Sequence, residues 1–216
     1  MIYNLNYLEK EIKIVTKGVS NRLFIINGNN NVEDYLSDNY NVLTIKNIEW
    51  NKELAPWDMN EGKMFKFSGG ADSYLKVLDK IISYVTIFLK EQKIDIKFYT
   101  ICGYSLAGLF ATYAIFKSNI FTSLVSCSSS FWYSGFVDYV NSHKISTNIK
   151  SIYFSLGDQE GKTRTKFFKD IDLCTSMVYN SIGSNISLKK FELNSGNHFV
   201  DCDKRLAKGI KYILSN

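Results

Sequence analysis

The sequence predicts an α/β fold, a mostly parallel central sheet with helices on both faces. Three observations carry that expectation. From residue 71 onward, runs rich in β-branched and aromatic residues alternate with stretches of helical periodicity, the pattern of strands joined by crossover helices. Several of those strand runs are apolar almost throughout, as strands buried on both faces are. The 216 residues are 45% hydrophobic, with one Pro and no stretch of departing composition, so a single domain over residues 1–216 is expected.

Taken in order, a first strand near residues 2–8 precedes EIKIVTK (11–17), whose alternation marks a half-buried strand. KGVSN then turns the chain into RLFIIN (22–27), and NVLTIKNI (41–48) repeats the strand signal. ADSYLKVLDKIISYVTIFLKEQ (71–92) places apolar residues at helical spacing. There follow strand KFYTIC (97–102), helix LAGLFATYAIFK (106–117), and strands SLVSCS (123–128) and SIYFSL (151–156). Helix TKFFKDIDLCTSMVYNSI (165–182), strand ISLKKFEL (186–193) and helix CDKRLAKGIKYILS (202–215) complete the chain.

Several function classes are disfavoured at this stage. Lys and Arg number 26 against 21 Asp and Glu, a formal charge of +5, but the lysines are scattered and no nucleic-acid recognition pattern accompanies them. Cys102, Cys127, Cys174 and Cys202 share no metal-ligand spacing and read as free thiols. MIYNLNYLEKE lacks the basic start and apolar run of a secretory signal, and no run of about 18 apolar residues offers a membrane span. A cytoplasmic protein is the expectation. SLGDQEGKTR follows a strand as a phosphate loop does, but it reads G-x-x-x-G-K-T, one residue short of that pattern. The nearby Lys162, Arg164, Lys166 and Lys169 read as a solvated helix face or as steering groups for an anion.

In a parallel sheet the ligand site lies at the carboxyl ends of the strands, so the residues after FIIN, FYTIC, IYFSL and the strand before Gly196 are the ones to inspect. After FYTIC comes Gly103-Tyr104-Ser105-Leu106-Ala107-Gly108, where strand gives way to helix. A nucleophile on such a turn needs small neighbours, which Gly103, Ala107 and Gly108 provide, and the following helix aims its free N–H groups and positive end at developing negative charge. A serine that only caps the helix would need similar local chemistry. Of the two histidines, His198 lies in the polar turn NSGNHFVDCD after a strand and is the expected base, whereas His143 in VNSHKIS has no evident orienting partner. Asp158 and Glu160, just after IYFSL, are the candidate acids, and spacing leaves both open. Asp201 and Asp203 read as dipole partners in the first turn of the last helix. For the oxyanion, Leu106 N–H is the first donor, with Gly28 or Asn29, after the early strand, as the second.

GYSLAG (103–108), GDQE (157–160) and GNH (196–198) resemble the esterase family of α/β-hydrolases that includes S-formylglutathione hydrolase, feruloyl esterases, mycolyltransferases and enterochelin esterases. ELAPW (53–57), FSGGADSYL (67–75) and SSSFWY (128–133) look most like a small group of uncharacterised bacterial hydrolases within it. The resemblance runs from about residue 20 to the C-terminus. It implies an α/β-hydrolase fold with little or no lid, and a serine esterase that needs no metal or organic cofactor and acts on a small-molecule ester through an acyl-enzyme. It favours Glu160 over Asp158 as the acid. Ala107 and Asn197 stand where many members have glycine.

Trp57, Tyr104, Trp132 and Tyr133 lie near the expected rim and are candidates for a substrate pocket, Tyr104 foremost; each tryptophan reads equally well as a plug closing the core. Two other readings remain at this level, a non-catalytic scaffold of the same fold acting through protein contacts, and an acyltransferase.

Overall fold

The structure is a computed structural model and describes residues 1–61, 65–163, 165, 168–183 and 186–216. Its strands are β1 (Ile2–Tyr7), β2 (Lys10–Lys17), β3 (Arg22–Asn27), β4 (Tyr40–Ile45), β5 (Asp58–Glu61), β6 (Phe65–Ser68), β7 (Phe98–Tyr104), β8 (Ser123–Cys127), β9 (Ser151–Gly157) and β10 (Leu188–Asn194). Its helices are α1 (Trp50–Glu53), α2 (Ala71–Glu91), α3 (Leu106–Lys117), α4 (Phe136–Ser142), α5 (Ile171–Ser181) and α6 (Cys202–Leu214). Among the described residues, an eight-stranded sheet has the order β1-β2-β4-β3-β7-β8-β9-β10, and β5 and β6 form a separate antiparallel ribbon. Strands from β4 to β10 in that order run parallel, while β1 and β2 pair antiparallel at one end.

Strand periodicity sorts side chains into two cores. Leu23 and Ile25 of β3, Ile101 of β7, Leu124 of β8 and Phe154 of β9 face the side covered by α2 and α3. Phe24, Ile26, Cys102, Val125, Cys127 and Tyr153 face the other side, where Leu206 and Ile210 of α6 pack. In α2 a stripe of Ala71, Tyr74, Leu75, Leu78, Ile81, Ile82, Val85 and Leu89 is buried while the remaining residues are exposed or partly exposed, as expected of a helix lying on a sheet. α3 differs, since every residue from Leu106 to Ile115 is buried. α6 lies very close to the sheet: a Cβ on Gly209 would sit 2.4 Å from Val125 Cγ1.

The chain runs from β3 outward to β4 and, after α2, returns to β7 on the opposite side of β3 before continuing to β8. The C-terminal ends of β3 and β7 therefore form the switch point of the sheet, a crevice between loops that leave in opposite directions.

The expected helix over 165–182 begins only at Ile171. Arg164, Lys166 and Phe167 lie outside the described residues, and Phe168 packs against Trp132 with ring centroids 5.1 Å apart. The strand expected to reach residue 48 ends at Ile45, because Asn47 adopts φ 62° and breaks the extended run. The short elements α1, α4 and the β5–β6 ribbon have too few residues for their periodicity to be read.

Candidate active site

Ser105 stands between β7 and α3 with φ 58° and ψ −125°, a conformation rare for a residue with a Cβ. Such strain costs on the order of 1–3 kcal/mol and persists only where the surroundings impose it. Here the Ser105 N–H donates to Cys127 O at 3.1 Å, and its carbonyl accepts from Gly108 N–H, Leu109 N–H and Ser130 N–H at 3.0, 3.1 and 3.1 Å. The glycines make the turn possible: a Cβ on Gly103 would lie 2.1 Å from Ala107 O, and one on Gly108 would lie 2.0 Å from Ser129 Oγ. A capping serine has extended backbone and a side chain bonded to the helix N–H groups. Ser105 has neither, since no side-chain capping bond is formed. Its Oγ instead lies 3.1 Å from His198 Nε2.

His198 Nδ1 lies 2.9 Å from Glu160 Oε2. A carboxylate at that distance holds the ring proton on Nδ1 and leaves the Nε2 lone pair facing the serine. Glu160 is nearly sealed, its side chain 3% exposed against 32% for His198. Its second oxygen, Oε1, accepts from Gly157 N–H at 2.6 Å, Ser128 Oγ–H at 2.6 Å and Arg205 Nη1 at 3.2 Å. Burial pushes the Glu160 carboxyl upward, but the bonds from His198, Ser128 and Gly157 outweigh it and hold the group below its ordinary value.

Asp158, the other candidate acid, turns away. It is exposed and accepts Gly196 N–H at 2.9 Å, so it closes the loop that carries His198 rather than facing the ring. The Gly196 bond holds its carboxyl below the ordinary value. Asp201 occupies the cap position of α6, and Asp203 accepts from Asn30 Nδ2 at 2.7 Å. His143, at the end of α4, stacks on Tyr139 with ring centroids 4.1 Å apart.

The expected oxyanion donors separate. Leu106 begins α3 and lines a cavity beside Ser105. Gly28 is excluded as a donor because its N–H is engaged by Ile45 O of β4 at 2.9 Å, a bond that depends on the β3–β4 pairing. Asn29 is exposed in the following loop. Trp50 of α1 covers Gly28, 3.1 Å from where its Cβ would be, and forms the cavity wall there with Asn51.

That cavity measures about 620 Å³, within the usual range for a small-molecule site. Of the four expected pocket aromatics, Trp132 lines it; Tyr104, Trp57 and Tyr133 do not. Strand alternation sends Tyr104 to the same face as Cys102, toward α6, where it is buried behind the histidine and donates its hydroxyl to His198 O at 2.7 Å. Tyr133 is buried and donates its hydroxyl to Trp57 O. Trp57 donates Nε1–H to Ser134 O and packs among Tyr133, Phe136 and Tyr139, a plug in the core rather than a wall of the site. The aromatic wall is completed around Trp132 by Trp50, Phe67, Phe168 and Phe199, with Lys162 at the same opening. Lys169 is exposed ahead of α5.

Sequence reasoning missed Ser128, Ser130 and Arg205. The first two follow β8, the strand between those of the serine and the acid, and this exit was available for inspection once SLVSCS is read as a strand. Ser130 Oγ lies 3.5 Å from Ser105 Oγ. Arg205 gives no local signal, because a cation in an amphipathic helix ordinarily faces water. Among the described residues no group of three or more His, Cys, Asp or Glu is arranged to hold a metal ion, and no helix is long and apolar enough to cross a membrane.

No protein-family model and no curated protein matches this sequence. Solved structures do. The siderophore hydrolase EstB from Aspergillus nidulans aligns with a TM-score of 0.71 at 13% identity, over 99% of this chain and 93% of its own. An IroE-like serine hydrolase from Shewanella oneidensis gives 0.69 at 14% identity, over 100% of this chain and 80% of its own. This chain has the α/β-hydrolase fold. Enterobactin esterase from Shigella flexneri also shares the architecture, with a TM-score of 0.69 at 15% identity, although this chain spans 59% of that protein. In the α/β-hydrolase fold a serine on a strand-to-helix turn is followed in the chain by an acid and then a histidine, the order of Ser105, Glu160 and His198 here.

Proposed function

We propose that the protein is a serine esterase that cleaves a small-molecule carboxylic ester through an acyl-enzyme. The reading rests on one observation, the relay from Ser105 Oγ to His198 Nε2 at 3.1 Å and from His198 Nδ1 to Glu160 Oε2 at 2.9 Å, opening on a cavity. Esterases and hydrolases among the structural neighbours support the same class.

In this reading His198 takes the Ser105 proton as Oγ attacks the ester carbonyl, and Glu160 stabilises the imidazolium that forms. The oxyanion is held by Leu106 N–H at the positive end of α3, with the Asn29 N–H as the second donor. The imidazolium then protonates the departing alcohol. Water from the cavity then attacks the acyl carbonyl as His198 takes its proton, and the intermediate collapses to the free acid as His198 returns that proton to the departing Ser105 Oγ. The acyl or alcohol part of the substrate rests against Trp50, Phe67, Trp132 and Phe199. Free cysteines agree with a cytoplasmic location.

The test is steady-state turnover of p-nitrophenyl acetate and butyrate by wild type and Ser105→Ala. The expected outcome is saturable hydrolysis by wild type and a loss of at least about a thousandfold in kcat for the variant. Equal turnover by both proteins would exclude Ser105 as the nucleophile.

A further inference from the structure

Arg205 is the largest fully buried side chain of the described residues, at 1% exposure, on the face of α6 that packs against Val125, Cys127 and Tyr153. An apolar residue of similar volume would suit that face without the cost of burying a charge. The placement of its donors gives the arginine a different purpose. Nη1 lies 3.2 Å from Glu160 Oε1, 3.3 Å from Ser128 Oγ and 3.2 Å from Tyr104 Oη, its two N–H groups shared among these three acceptors. Nη2 donates to Ser195 O at 3.0 Å.

Each acceptor belongs to a different part of the site. Glu160 is the acid, at the exit of β9, and Ser128, at the exit of β8, itself donates to Glu160. Tyr104 is the residue before the nucleophile and its hydroxyl donates a hydrogen bond to the His198 carbonyl. Ser195 lies in the loop that carries the histidine. We propose that Arg205 is a positioning residue that ties the acid, the nucleophile-bearing strand and the histidine loop to one planar guanidinium and so fixes the mutual geometry of Ser105, His198 and Glu160.

This inference rests on the esterase reading. It requires arginine specifically, because an ammonium group on a lysine stem cannot present a flat fork to acceptors on opposite sides. Arg205 does not touch substrate, so its removal alters the alignment of the reacting groups while leaving the cavity walls in place. Small displacements of a catalytic group lower kcat steeply.

The experiment measures kcat and KM for p-nitrophenyl butyrate, with thermal melting, on wild type, Ser105→Ala, Arg205→Lys, Tyr104→Phe, Glu160→Gln and the Glu160→Gln/Arg205→Lys double variant. Arg205→Lys is expected to lower kcat about tenfold or more with KM within about twofold, and Tyr104→Phe, which removes one arm of the tie, to lower kcat by about threefold. In the Glu160→Gln background Arg205→Lys should cost a smaller factor than in wild type, because the charged acid that it helps to hold is gone while its ties to Tyr104 and Ser195 remain. A folded Arg205→Lys with unchanged kcat overturns the proposal. If Arg205→Lys does not fold, Tyr104→Phe decides, and wild-type kcat there overturns it as well. Inactive Ser105→Ala beside an unaffected Arg205→Lys refutes the positioning role alone, whereas an active Ser105→Ala removes the esterase reading and this inference with it.

Discussion

At the scale of single residues, the division of labour between two neighbouring carboxylates is the sharpest statement the structure makes. Glu160 faces His198 Nδ1, while Asp158 holds the Gly196 N–H. Glu160→Gln should therefore lower kcat by about 10³ to 10⁴, since an amide in that position disrupts the histidine tautomer, whereas Asp158→Asn should leave kcat within about threefold of wild type. Parallel kinetics on the two variants check this. Spacing alone leaves the pair open, because both residues follow the same strand, and only the family resemblance favours Glu160; in the structure the turn closed by Glu160 N–H to Gly157 O brings that residue under the histidine. Ser105 and His198 are visible as polar groups at strand exits. Arg205 is not, since nothing local separates a buried cation from a solvated one. Gly28 misleads for a related reason: its N–H is claimed by a neighbouring strand, and strand neighbours are not written in the local sequence.

At the scale of elements, two close approaches set the geometry of the site. β7 and α3 meet so tightly that a methyl group on Gly103 would fall 2.1 Å from the Ala107 carbonyl. Gly103→Ala should destabilise the protein by about 1–3 kcal/mol and reduce kcat, because the backbone that must move is the turn bearing Ser105. Gly209 brings α6 against Val125 and Tyr153, where a Cβ would stand 2.4 and 2.6 Å from their nearest carbons. Gly209→Ala should lift α6, lower the melting temperature and carry Arg205 away from Glu160, so that kcat falls with little change in KM. Differential scanning fluorimetry beside kinetics checks both variants. A long amphipathic element such as α2 can be read from periodicity because it repeats the period over several turns, whereas α3, buried all round, shows itself only as an apolar run of helix-forming length. Trp50 and Phe67 escape that reading, as they sit on a four-residue helix and a four-residue strand. The three misplaced aromatics show the same limit, because proximity to a strand exit does not say which face of the sheet a ring will take.

At the scale of the whole molecule, the sheet order explains why residues distant in sequence meet: β7, β8 and β9 are neighbours, and their exits deliver Ser105, Ser128 and Glu160 side by side. The same network ties stability to pH. The folded protein holds the Glu160 carboxyl below its ordinary value of 4.5, so its contribution is complete above that pH and is lost as pH falls through the lower folded value. Acid unfolding should accordingly steepen below about pH 4.5, and Glu160→Gln should flatten that part of the curve, as followed by circular dichroism. On the alkaline side burial pushes the Cys127 thiol up to about 12, so its contribution is complete below its ordinary value of 9.0 and is lost as pH rises toward the folded value.

The central claim is that Ser105 is a nucleophile activated by His198, and covalent labelling tests it most directly. Wild type and Ser105→Ala would be exposed to a fluorophosphonate probe and read by intact-protein mass and peptide mapping. The account predicts one phosphonyl adduct per wild-type chain, mapped to Ser105, and none on a folded Ser105→Ala. A folded wild type that takes up no label, or an adduct on Ser105→Ala at the wild-type rate, would contradict it.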